Sequence, residues 1–155
     1  MKIVSAAIAA IALVATAGCV TEGDSTSQQL AGVQELAGDD CTFTQGYWKN
    51  HEEAWPVASL SLGGVSYTKA ELLSILRTPV KGNGLISLAH QLIATKLNVA
   101  NGATSTSIDD AMDDADDLIG SLVVPPIGTG HLSPSDTTGV AGALDGLNNG
   151  VTGPG

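Results

Sequence analysis

The spacing of apolar residues changes several times along this chain, and each change marks an element. Leu85, Leu88, Ala89, Leu92, Ile93, Val99 and Ala100 fall in one broad arc at about 100° per residue, with Gln91, Ala94, Thr95 and Asn98 opposite. This spacing predicts a helix over 85–100, closed by Asn101-Gly102. Two residues break its pattern: Lys96 sits near the middle of the apolar arc and His90 at its edge. Ile108, Ala111, Met112, Ala115, Leu118, Ile119 and Leu122 predict a second amphipathic helix over 108–122, N-capped by Ser107, with Asp109, Asp110, Asp113, Asp114, Asp116 and Asp117 along it. Leu72, Leu73, Ile75 and Leu76 predict a third over 69–77, started by Thr68 with Glu71 in a capping box and ended by Thr78-Pro79. A weaker helix is expected over 134–147, from Ser133 or Ser135 to a stop at Asn148-Asn149-Gly150.

The remaining segments are shorter. Residues 41–44 favour β structure, Gly46 breaks them, and 47–55 fit about two turns of helix before Pro56 forbids continuation. On that helix Trp48, His51 or Glu52, and Trp55 share a face. Leu62-Gly63-Gly64-Val65 suits a tight hairpin or a simple loop, Lys81-Gly82-Asn83-Gly84 is a turn, and 123–133 is a Pro/Gly loop. The expected fold is mainly α: one small domain of four to five short helices with Gly/Pro-rich loops and room for one short hairpin.

That domain spans 41–155 and is preceded by two segments of different character. In residues 1–18, Lys2 precedes an apolar run from Ile3 to Val14, and Ala17-Gly18 stand before Cys19, as in an export signal. The run is shorter than the about 20 residues a membrane span needs. Small residues before a cysteine resemble the lipobox of bacterial lipoproteins, in which the cysteine becomes the lipid-modified first residue of the mature chain. Thr16 departs from the usual Leu or Val, which keeps ordinary cleavage at an Ala-x-Ala-like site open, and Val20 in place of Asp implies sorting to an outer membrane. Residues 19–40, rich in Thr, Ser, Gln, Gly and acid, are expected to be a lipid-anchored flexible tether, with one short helical patch at Leu30, Val33 and Leu36.

Charge narrows the partners. The 155 residues carry 6 Lys and Arg against 16 Asp and Glu, a formal charge of −10 that becomes −11 once Lys2 leaves with the leader. Nucleic acid is a poor partner for such a surface, because affinity there comes from neutralising phosphates. Aromatics are scarce: four of the five fall in Phe43, Tyr47, Trp48 and Trp55. A face of Tyr47, Trp48 and Trp55, edged by His51, is a candidate platform for a sugar ring, with burial in the core as the alternative. If lipid consumes Cys19, Cys41 is left as an unpaired thiol in an oxidising compartment, open to an intermolecular disulfide.

Cys41-Thr42-Phe43-Thr44-Gln45-Gly46-Tyr47-Trp48-Lys49-Asn50-His51, Trp55-Pro56 and the run from Leu88 to Asn98 resemble a family of uncharacterised secreted bacterial surface proteins with a Gly-Tyr-Trp-Lys-Asn-His motif. The resemblance covers most of 41–155. In that family the chain closes with Asn-Gly-x-x-Gly-Pro-Gly followed by His and Cys, and a disulfide from the first motif to that cysteine is implied. Here the sequence stops at Gly155, which under the resemblance leaves Cys41 without this partner and available for a disulfide-linked dimer. The family supplies a compartment and a boundary, not an activity.

Other chemistry finds little support. His51, His90 and His131 lack the spacing of a zinc site, and the aspartates at 109–117 lack the alternation and glycine of a calcium loop, so no metal and no cofactor is expected. There is no Gly-x-Ser-x-Gly elbow, and Glu52 and Glu53 point away from the adjoining His51 on a helix, so no catalytic residue stands out. A lysine within an apolar arc is costly unless paired, so Lys96 is expected to meet Glu52, Glu53 or a carboxylate of 109–117, with His90 a second buried polar group. The function expected is a non-enzymatic structural or interaction module of the cell envelope or surface, exported and held at the outer membrane through lipid, with an envelope protein or glycan as partner. The alternative is an extracellular module binding carbohydrate or a cation at the 47–55 face; a hydrolase-like enzyme comes third.

Overall fold

The computed structural model describes residues 41–151, so the expected leader, the Cys19 anchor, the tether and residues 152–155 lie outside the described residues. The described residues form five α-helices and one two-stranded sheet. Their order is α1 (Gln45–Asn50), a 3-10 turn (Glu52–Ala54), β1 (Ser59–Leu62), β2 (Val65–Thr68), α2 (Lys69–Arg77), α3 (Gly84–Ala100), α4 (Thr106–Ile119) and α5 (Pro134–Asn148). No helix among them is long and apolar enough to cross a membrane.

Local rules account for most boundaries. Thr68 and Glu71 form a complete capping box at the start of α2. Bonds from the Thr68 backbone N–H and hydroxyl hold the Glu71 carboxyl below its ordinary range. Asn83 caps α3 by accepting from the Leu85 amide. The hairpin is the tight one: β1 and β2 pair antiparallel with Leu62 opposite Val65, leaving Gly63 and Gly64 as a two-residue turn.

Three boundaries differ from the sequence expectation. Residues 41–44 form no strand, and Thr44 is instead the N-cap of α1. The helix expected over 47–55 stops at Asn50, because His51 adopts φ −120°, ψ 62°, and the 3-10 turn carries the chain round so that Trp55 folds inward. Helix α4 is capped by Ser105 rather than Ser107, and it ends at Gly120, whose φ of 52° closes it before Leu122.

Helix α3 is the hub, packed against α1, α2, α4, α5 and β1. Its Leu85, Leu88, Leu92, Ile93 and Leu97 are completely buried, each worth about 1.5 to 3 kcal/mol. The supposed polar face is also interior: Gln91, Ala94, Thr95 and Asn98 are all buried. Helix α3 is therefore wrapped on nearly every side, because α5 covers the stripe that periodicity assigns to solvent. That stripe is satisfied by hydrogen bonds. Asn98 Oδ1 accepts from the Phe43 amide (2.8 Å) and Trp48 Nε1 (3.0 Å), while its Nδ2 donates to Phe43 O (2.9 Å) and Asn148 Oδ1 (2.9 Å). Thr95 donates to the same Asn148 oxygen at 3.0 Å, and Asn148 Nδ2 donates to Gln91 O and Oε1, both at 3.0 Å.

Candidate ligand-binding cleft

The aromatic motif builds the core rather than a platform. Trp48 is 1% exposed and Trp55 8%. Both indoles find acceptors inside, Trp48 on Asn98 and Trp55 on Trp48 O at 2.8 Å. This corrects the expected ligand-binding face of Tyr47, Trp48, His51 and Trp55: a chain with so few large rings needs its indoles within. Tyr47 is half-buried, sandwiched between Phe43 (centroids 4.3 Å) and the exposed His51 (4.5 Å). His51 Nδ1 lies 3.1 Å from Glu53 Oε1. A bond from its own backbone N–H, then the one from His51, hold the Glu53 carboxyl below its ordinary range.

Lys96 is paired. Its Nζ donates to Asp116 Oδ2 at 2.6 Å and to Ser61 O at 2.7 Å, linking α3 to the acidic helix and to β1. Glu52 is not part of this arrangement, which corrects its place among the buried pairs. It is exposed, 4.0 Å from Arg77, and its backbone carbonyl accepts from Lys69 Nζ. Such an exposed pair contributes under about 1 kcal/mol. Cys41 is held in a disulfide, which corrects the expected unpaired thiol.

His90 leads to a site the sequence did not announce. It is 9% exposed, with Nε2 2.7 Å from Ile75 O. A carbonyl oxygen only accepts, so Nε2 carries the proton and Nδ1 is left as an acceptor. Burial pushes the imidazole's pKa below its ordinary value, and the Lys49 charge adds to this, against the opposing pull of the Ile75 carbonyl. The imidazole is thus a neutral, oriented acceptor.

His90 lines a cleft of about 590 Å³ between the start of α1, the end of α2 with the following Thr78–Val80, and the last turns of α5. The cleft also receives Lys49, Arg77 and Asp145, with Leu76 and Pro79 on one wall. Its size suits a small molecule, since such sites run about 300 to 1,000 Å³. Among the described residues Lys49 makes no ion pair, and Arg77 only the long contact to Glu52. Asp145 Oδ1 accepts from Gln91 Nε2 at 2.9 Å, which fixes the carboxylate through the buried network of α3 and α5.

His51 and His131 do not line this cleft, and both are exposed. No group of three or more His, Cys, Asp or Glu among the described residues could hold a metal ion. Sequence reading missed Lys49, Arg77 and Asp145 because they lie on three separate elements. The available signal was scarcity: Lys49 and Arg77 are two of only 6 Lys and Arg in a strongly acidic chain. Comparison with protein-family models, curated proteins and solved structures finds no match for this chain.

Proposed function

We propose that this chain is an exported, non-enzymatic module of the cell envelope or surface that binds a small anionic ligand in the cleft of Lys49, Arg77 and His90. One observation carries the reading: in a chain of formal charge −10, two of its 6 Lys and Arg line one cleft beside a buried neutral imidazole. A cationic cleft on an anionic body concentrates field lines and draws small anions to it. The motif shared with the secreted Gly-Tyr-Trp-Lys-Asn-His proteins then has two uses. Trp48 anchors the fold from inside, while Lys49, its neighbour, turns to the cleft.

Export is supported by the leader-like residues 1–18. The lipid reading of Cys19 is tested by the intact mass of the native protein, which shows whether that residue carries acyl chains.

Binding is tested by amide NMR titration with phosphate, citrate and acetate. Shifts should concentrate at 44–49, 76–80, 90 and 145–149, weaken as salt screens the cations, and vanish in the Lys49→Gln, Arg77→Gln double variant. Spectra unmoved by every anion would overturn the proposal.

A further inference from the structure

We infer that the cleft selects a hydroxylated carboxylic acid of the sugar-acid class, an inference that rests on the anion-binding reading above. The lining presents two kinds of group. Lys49 and Arg77 offer cationic donors, and a guanidinium matches a carboxylate in a fork. His90 and Asp145 offer acceptors. Nε2 of His90 is committed to Ile75 O and Oδ1 of Asp145 to Gln91, so His90 Nδ1 and Asp145 Oδ2 remain without a hydrogen bond among the described residues.

Both acceptors are oriented in advance by groups beneath them. The Ile75 carbonyl fixes the imidazole, and Gln91, itself held by Asn148 at 3.0 Å, fixes the carboxylate. Acceptors held this way lose little freedom on binding. They call for ligand donors, and an ionised simple carboxylate such as acetate has none. Acetate would satisfy Lys49 and Arg77 yet leave His90 Nδ1 unfilled; phosphate keeps a P–OH that can donate, but it sets a larger negative charge against Asp145 and has no apolar face for the wall of Leu76 and Pro79. A neutral sugar would fill the acceptors and leave both cations without a counter-charge. A carboxylate with hydroxyls on the same ring satisfies both sets, and Leu76 and Pro79 give its C–H face an apolar wall.

The test compares D-galacturonate, D-galactose, acetate and inorganic phosphate by calorimetry and amide NMR on the full chain. Galacturonate should bind at least about tenfold tighter than each of the others, as one well-formed hydrogen-bond set requires. It should also move the His90 Nδ1 resonance. Asp145→Asn keeps the oxygen that Gln91 needs but turns the other acceptor into a donor. It should weaken galacturonate about tenfold while acetate binds no worse; unchanged amide shifts outside the cleft check its fold. Acetate or phosphate binding as tightly as galacturonate would overturn this inference and leave the anion site standing. If no compound moves the cleft residues, both readings fall.

Discussion

Asp116 receives the Lys96 ammonium on one carboxylate oxygen at 2.6 Å and the Gly63 amide on the other at 2.7 Å. One side chain of α4 therefore joins the C-terminal part of α3 to the turn of the hairpin. The Gly64 amide reinforces the join by donating to Gly120 O at 2.7 Å. The lysine that looked misplaced in an apolar arc is the cation this joint requires.

Lys96→Met tests the joint, since it keeps the apolar stem and removes the charge. The pair is only partly shielded, with side chains 17% and 29% exposed, so the loss should fall between an exposed and a buried pair, about 1 to 3 kcal/mol. Chemical unfolding of Lys96→Met, Asp116→Asn and the double variant should show coupling between the two sites. A midpoint equal to wild type would mean that Lys96 is stabilised by its stem alone.

Gly63→Ala should be more damaging than its surface position suggests. Gly63 has φ +57°, and a Cβ there would sit 2.2 Å from Gly120 O, a backbone atom that cannot move aside without opening α4 from the hairpin. Gly82 has φ +80° but open space around it, so Gly82→Ala meets only the left-handed backbone cost of about 1 to 2 kcal/mol. Thermal unfolding should rank Gly63→Ala clearly below Gly82→Ala; equal midpoints would show that the hairpin is not clamped to α4.

Asn98→Leu removes both acceptor and donor from the centre of the polar stripe. It strands the Trp48 indole N–H and the Phe43 amide and carbonyl, each bonded to Asn98 in the native protein. Buried groups left unsatisfied cost about 1 to 3 kcal/mol each, so destabilisation above about 3 kcal/mol is expected. Tryptophan fluorescence should report a changed Trp48 environment at equilibrium. A variant as stable as wild type would mean that water or repacking replaces the whole set.

The pH dependence follows from His90. Its folded pKa lies below the unfolded value, so the unfolded chain binds more protons between the two. Stability is full above the unfolded value, about 6.5, and falls as pH drops from there towards the folded value, then levels off. The lowered carboxyls of Glu53 and Glu71 lose their contribution further down, as pH falls below their unfolded values. Unfolding free energies at about pH 8 and pH 5 should differ more for wild type than for His90→Gln. Equal differences would show that His90 does not carry this dependence.

The chain's own pattern determined much of what depends on neighbours a few residues apart. Thr68 and Glu71 start α2 through bonds within one turn, the Gly63-Gly64 pair specifies a two-residue hairpin, and the 3.6-residue period marks α3 and α4 to within a few residues. Lys96 was legible too, because a cation inside an apolar arc demands a counter-charge and the Asp-rich helix offered one. Periodicity reports which side of a helix is more apolar, but it does not say how many other elements will cover it. Only packing decided that α5 would bury Gln91, Thr95 and Asn98, that Trp48 and Trp55 would turn inward, and that Lys49, Arg77, His90 and Asp145 would face one cleft. Those contacts join residues far apart in the chain, such as Asn98 to Phe43 and Asn148 to Gln91. No local preference encodes such distances; they are set by which arrangement of five helices buries the most apolar surface while leaving few polar atoms unmatched.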